Sequence, residues 1–167
     1  LASTRHSIRP VPPRGSGDVR VLALDLGARR IGVAVSDSDQ RVATPVTVVP
    51  RHADRPRLHR ELAELVTEWE AGQVVVGLPI DLEGRIGPAA SSVLQECEEL
   101  SGVMGVPVVT HDERLTTRIA DRALRERGDM DGRDRRKVVD MVAASVILQD
   151  WLDRNRASSS SGSEGGE

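Results

Sequence analysis

From Val19 to Ser36 apolar residues alternate between two faces. Val21, Ala23 and Asp25 fall on one side of an extended chain, and Leu22, Leu24 and Leu26 on the other. The pattern predicts a strand over Val19–Leu26, a turn at Gly27-Ala28-Arg29-Arg30 with Gly27 lending backbone freedom, and a strand over Ile31–Ser36. A third strand is expected over Val42–Val49, where Pro45 points to a sheet edge. Three short strands in succession make an antiparallel meander. Asp25 breaks the apolar pattern. If both faces of its strand are covered, its carboxylate is costly unless something positive compensates it.

The pattern then changes period. Leu58, Leu62, Leu65 and Trp69 recur at three- and four-residue steps, which predicts an amphipathic helix over Pro56–Glu70. Pro56 suits its first turn. The run "QVVVGL", Gln73–Leu78, is a short continuous apolar strand of the kind buried in a parallel sheet. After the loop "PIDLEGRIG", a helix is expected over Pro88–Leu100 and a strand over Val106–Thr110 that closes with His111-Asp112-Glu113. Helices follow over Thr117–Arg127 and Arg135–Arg154, joined by a mobile "GDMDGRD". Residues 1–18 read as a flexible arm, 19–156 as a single domain, and 157–167 ("ASSSSGSEGGE") as a disordered tail. The fold class is α/β: a five-stranded mixed sheet, three strands in a meander and two parallel, with helices on both faces.

Composition narrows the function classes. At 167 residues, 38% hydrophobic and 29% charged, the chain buries a core without staples. No apolar run approaches the roughly 18 residues of a membrane span, and the N-terminal stretch carries no signal-peptide core, so no membrane partner is expected and the cytoplasm is the default. The single Cys97 excludes an internal disulfide and leaves only one between chains. A net charge of −3 argues against a nucleic-acid packaging protein, though not against a local basic patch. With no Phe, no Tyr and only Trp69 and Trp151, single-strand binding on stacked aromatics is improbable.

Three acids stand next to apolar sequence at element ends. Asp25 lies late in the first strand, and Glu113 just after a later one. If those strands are parallel, both carboxylates emerge at the same sheet edge, where open α/β sheets place their sites. Taken alone, Glu113 also reads as a surface acid paired with Arg114 or Arg118. In "RRKVVDMVAASVILQDWL", Asp140 shares a helical face with Ala143, Ala144, Ile147 and Trp151, and the alanines permit close approach to a sheet. Taken alone, it reads as an acid near a helix N-terminus, or one bridged to Lys137. Together, three clustered carboxylates repel one another unless a cation intervenes, and hard oxygen donors suit Mg²⁺ or Mn²⁺. Such a pair of ions is a device for phosphodiester hydrolysis. Arg29, Arg30, Arg85, Arg114 and Arg118 are candidate phosphate contacts, as is the basic stretch with Arg135, Arg136 and Lys137. His111 reads first as a solvent-exposed strand-end residue, and second as a ligand or proton shuttle.

The segments "LALDLGARRIGVAVSD", "VVVGLPIDLEGRIG", "THDERLTT" and "KVVDMVAASVIL" resemble, in order and spacing, the signature segments of the YqgF/RuvX family, over about residues 19–153. The resemblance implies an RNase H-like fold and a divalent-metal nuclease site, with the family's three acids on Asp25, Glu113 and Asp140. It implies a nucleic-acid partner: precursor rRNA, in 5′-end maturation of pre-16S rRNA, or branched DNA, in Holliday-junction resolution. Junction resolution calls for paired sites and hence a homodimer, whereas a monomer suffices for rRNA. After Gly-Leu-Pro the family often carries Asn and then Asp, where this chain has Asp81 and Glu83. Asp81 is thus a candidate extra metal ligand or a charge opposed to phosphate. Two rivals remain: a phosphate-holding hairpin of the sugar-kinase and actin-like type, for which the chain is short, and a noncatalytic RNase H-like module binding RNA or a transcription complex.

Overall fold

The computed structural model describes residues 19–114 and 132–160. The expected arm (1–18), the expected helix over Thr117–Arg127 with Arg118, and residues 161–167 lie outside the described residues. The described elements run β1 (Arg20–Leu26), β2 (Arg30–Ser36), β3 (Ala43–Pro50), α1 (Arg55–Glu68), β4 (Ala71–Leu78), α2 (Pro88–Ser101), β5 (Val108–Asp112) and α3 (Gly132–Ser160).

The five strands form one sheet in the order β3-β2-β1-β4-β5. β1, β2 and β3 pair antiparallel, and β1 with β4 and β4 with β5 pair parallel, as the sequence pattern predicts. Pro45 lies on the edge strand β3, beside a register shift in which Thr47 faces Val33 and Pro45 faces Ala34. That is where a residue lacking an N–H is tolerated.

The period-two alternation of β1 sorts its residues between two cores. Leu22 and Leu24 join Val74, Val76 and the apolar stripes of α1 and α2. Val21 and Ala23 join Ala34, Val75 and the buried face of α3: Ala144, Ile147, Leu148 and Leu152. Burying each of those three larger side chains contributes about 1.5–3 kcal/mol. Asp54 caps α1 by accepting from the Arg57 N–H at 3.0 Å, and Pro56 stands in the first turn. Cys97 is buried in the α2 core, and burial with Glu96 beside it pushes its thiol up to about 11. Both features argue against the interchain disulfide.

Several boundaries differ from the sequence reading: β5 spans Val108–Asp112, where Val106–Thr110 was expected, and the last helix is longer at both ends. α3 begins at Gly132, so residues 132–134, expected in the mobile connector, form its first turn ahead of Arg135, Arg136 and Lys137. It continues through residues 157–160, where a disordered tail was expected. Small residues there bond back along the helix, Ser159 Oγ to the Asn155 carbonyl at 3.0 Å for example. Among the described residues, no helix is long and apolar enough to cross a membrane.

Candidate active site

Because β1, β4 and β5 are parallel, their carboxyl ends share one edge of the sheet, and the first and last of these strands bring Asp25 and Glu113 there. Asp25 follows Val21 and Ala23 onto the α3 face. Both its neighbours across the sheet are glycines. Gly32 of β2 stands directly opposite, and Gly77 of β4 lies one step beyond the Leu24–Val76 pair. Each glycine makes room for something. A Cβ on Gly32 would overlap the Asp140 carbonyl oxygen and lie 3.4 Å from the Ala144 Cβ, so the missing side chain lets the α3 backbone settle onto the sheet. A Cβ on Gly77 would come within 2.6 Å of both Glu113 Oε2 and Ile147 Cδ1. The space beside Asp25 is therefore taken by Glu113 Oε2, the Asp140 backbone carbonyl and the Ile147 side chain.

Electrostatics follow from that crowding. Burial raises the Asp25 carboxyl to about 6, with the Asp140 charge adding to the effect. Burial raises Glu113 to about 7, helped by Asp25 and Asp112. Desolvation and like charge both disfavour the ionised form, so a divalent cation at this edge would relieve both. Asp140 is held differently. Its Oδ2 accepts from Arg30 Nε at 2.6 Å, so its basic partner comes from β2 and not from Lys137 one helical turn away. Among the described residues, no group of three or more His, Cys, Asp or Glu side chains stands at metal-holding spacing. The donor chemistry of Asp25, Glu113 and Asp140 fits Mg²⁺ or Mn²⁺, while Arg30 competes for the third acid.

The predicted phosphate contacts divide into two sets. Arg29, on the β1–β2 turn, and Arg135, Arg136 and Lys137, on α3 ahead of Asp140, are exposed. Arg85 and Arg114 are engaged. Arg85 pairs with Asp81 and Glu83. Arg114 Nε donates to Asp112 Oδ2 at 2.7 Å; burial raises that carboxyl, but this bond, the Arg114 backbone N–H and the charges of Arg114 and His111 together hold Asp112 below the usual carboxylate range. Asp81 works as a loop staple: its Oδ1 accepts from the Glu83 and Arg85 N–H groups at 3.0 and 2.7 Å. His111 is part-buried, not exposed, with Nε2 2.6 Å from Asp150 Oδ2 on α3. Gly27 has no positive φ; it is needed because a Cβ there would run into the Arg30 carbonyl.

A second ionic group escaped the sequence reading. Arg51 donates from Nε to the Gly27 carbonyl at 2.6 Å and from its backbone N–H to the Arg29 carbonyl at 2.9 Å, gripping the turn after Asp25. Its guanidinium forks onto Glu96 at 3.1 and 2.9 Å, and His59 Nε2 lies 3.0 Å from the same carboxylate. The signal was present: Ala90, Val93, Glu96, Cys97 and Leu100 form one helical stripe, with an acid in the middle.

A "Putative pre-16S rRNA nuclease" of Mycobacterium sp. (strain KMS) is 45% identical over 99% of both chains. Proteins of the same name from Rhodococcus opacus and Chloroflexus aggregans are 46% and 43% identical, over 93% and 81% of this chain and 87% and 94% of theirs. The fold superposes on "T. thermophilus RuvC in complex with Holliday junction substrate" with a TM-score of 0.51 and 18% identity, over 82% of this chain and 96% of that one. Residues 19–154 match the family described as "RuvX: Holliday junction resolvase", and the chain belongs to that family.

Proposed function

We propose that this chain is a divalent-metal-dependent endonuclease of structured nucleic acid. Its first role is 5′-end maturation of pre-16S rRNA in ribosome biogenesis, and its working compartment is the cytoplasm. The observation that carries this reading is the gathering of Asp25, Glu113 and Asp140 at the carboxyl edge of parallel strands, where Gly77 makes room for Glu113 and Gly32 for the α3 backbone. Burial there raises Asp25 and Glu113, helped by the Asp140 charge at Asp25 and the Asp25 and Asp112 charges at Glu113. Asp25, Glu113 and Asp140 are the residues that would hold Mg²⁺ or Mn²⁺. When bound, the ion supplies activation of water and neutralisation of charge at the phosphodiester. The chain's own part is orientation. Arg29, Arg135, Arg136 and Lys137 face solvent around this edge and offer phosphates their first contacts. Arg51 fixes the turn that carries Arg29 and Arg30.

Two further readings each have an observation behind them. The family description and the RuvC-like fold favour branched DNA, which would call for a homodimer with two sites. The Arg30–Asp140 pair favours a noncatalytic binding module.

The test sets precursor rRNA beside a synthetic four-way junction, with Mg²⁺ or Mn²⁺ present. Wild type is expected to cut the RNA. Asp25→Asn and Asp140→Asn should lose on the order of 10²–10³-fold or more in rate, because each weakens the hold on the cation that would neutralise charge at the reacting phosphate. Circular dichroism should show both variants folded. A folded Asp25→Asn protein that cuts as well as wild type would overturn the assignment. Cutting of the junction alone would move the substrate to DNA.

A further inference from the structure

The loop of residues 79–87, between β4 and α2, is tied by its own hydrogen bonds and exposes two large apolar side chains among its charged ones. Asp81 ties it together. Besides the two bonds to Oδ1, its Oδ2 accepts from Arg85 Nε at 3.0 Å, and its carbonyl accepts from the Gly84 N–H at 2.9 Å. Gly84 takes a φ of +81°, which favours glycine. Fixed in this way, the loop presents Leu82 at 71% exposure and Ile86 at 56%. Large apolar side chains held so far into water by a stapled turn ask for an occupant.

Beside them lies a cleft of about 520 Å³. Pro79, Ile80, Leu82 and Pro88 line one side, and Glu113 and Arg114 the other. The cleft is thus continuous with the acidic edge. Of its charged lining residues, Asp81 pairs with Arg85 of the same loop and Arg114 with Asp112. Such a cleft suits an apolar, flat group better than a phosphate. The chain has no Phe or Tyr, and its tryptophans are engaged elsewhere, Trp69 at the end of α1 and Trp151 against the α3 core. An aliphatic wedge is therefore what this edge offers a base. Leu, Ile and Pro serve that purpose where proteins unstack nucleic acids.

We propose that the 79–87 loop and its cleft form a subsite for one unpaired nucleobase next to the phosphate presented to Glu113, with Leu82 as the wedge that takes the displaced base's place. This inference rests on the nuclease reading and deepens it. A nucleotide that is already unpaired, at a branch or a fraying helix end, enters without the cost of unstacking. The enzyme would then prefer such positions to continuous duplex.

The experiment uses the full chain, with Leu82→Ser and Ile86→Ser as variants at exposed positions outside both cores. RNA hairpins and four-way DNA junctions are made with either a normal base or an abasic residue at each nucleotide flanking the cut. For wild type, kcat/KM should fall about 10-fold on one abasic substrate. For Leu82→Ser, the two substrates should differ less than about 2-fold. The same substrates carrying 2-aminopurine at that nucleotide, bound in EDTA, should brighten with wild type and not with Leu82→Ser. Equal rates with and without the base, discrimination retained in Leu82→Ser, or no fluorescence change with wild type would each overturn the subsite. Brightening without any cleavage would instead count against the nuclease reading and leave the subsite standing. The RNA and DNA arms show which polymer supplies the base.

Discussion

Glu96 on α2 and Asp25 on β1 are carboxylates taken out of water on opposite faces of one sheet. Glu96 is 3% exposed, and burial alone would raise it. Arg51 and His59 bond to it, Arg55 stands near, and the balance holds it below its usual range. On the α3 face the balance goes the other way. No basic side chain among the described residues pairs with Asp25, and burial and Asp140 raise it to about 6. Glu113 rises to about 7 for similar reasons. One face thus completes its ionic group from its own side chains. The other gathers acids at one strand edge, where burial and like charge raise Asp25 and Glu113. The first arrangement stabilises a fold; the second costs stability and suits a cation-binding site.

If that contrast holds, removing an acid should have opposite effects on the two faces. Glu96→Ala leaves Arg51 and His59 without their shared acceptor and should cost roughly 3 kcal/mol in urea unfolding. Asp25→Asn, measured in EDTA, should be neutral or stabilising. A large loss for Asp25→Asn would mean its charge is matched after all. Gly32→Ala tests the close approach on the α3 side. The new methyl meets the Asp140 carbonyl, which is backbone and yields little. The expected loss is about 1–3 kcal/mol, with reduced activity because α3 must shift and carry Asp140 with it. Unchanged stability would show that the helix is not seated on that glycine.

The pH dependence sharpens the comparison. Asp25 and Glu113 have folded values above their ordinary 3.8 and 4.5. Their protonation therefore favours the native state: that contribution is whole below about pH 4 and fades as pH rises through 6 and 7. Glu96 is lowered, so its contribution is present above pH 4.5 and is lost as the solution becomes more acidic. Without metal, wild type should be more stable at pH 5 than at pH 8, by about 1–2 kcal/mol after allowance for solvent screening. The double variant Asp25→Asn/Glu113→Gln should flatten that slope. Adding Mg²⁺ should also flatten it in wild type, by stabilising the ionised form. A wild-type slope of the opposite sign would remove the crowded-acid description.

How far the sequence revealed this contrast depends on which contacts are local. Alternation through Val21, Ala23 and Asp25 put the acid on the correct face, and Ala143 and Ala144 announced a helix lying close to the sheet. The flanking glycines were visible as residues but not as neighbours, since Gly32 and Gly77 reach Asp25 only through strand register. Lys137 was the natural partner for Asp140 within a helix. Arg30 displaced it across 110 positions of sequence, a contact made only by the fold. Likewise Asp81 in isolation read as an extra ligand, because the tight turn it ties depends on the backbone of Glu83 and Arg85. The Arg51–Glu96–His59 group left only the trace of an acid in an apolar stripe.

Arg30 is the point where the two faces come nearest to each other in design, since it supplies Asp140 with the kind of partner that Arg51 supplies to Glu96. The two pairs differ in depth: the Arg30–Asp140 side chains are 27% and 23% exposed, whereas the Glu96 side chain is only 4% exposed. Water already screens the first pair, so Arg30→Gln should cost no more than about 1 kcal/mol. Its larger consequence concerns affinity. With the guanidinium gone, Asp140 returns its full charge to Asp25 and Glu113, and no resident cation competes with an incoming one. Isothermal titration should show Mn²⁺ binding tightened by up to about 10-fold, in step with a coupling near 1.4 kcal/mol. Weaker binding in Arg30→Gln would mean that the arginine positions Asp140 for the ion instead of competing with it, and the ionic group on this face would then be as complete as the one around Glu96.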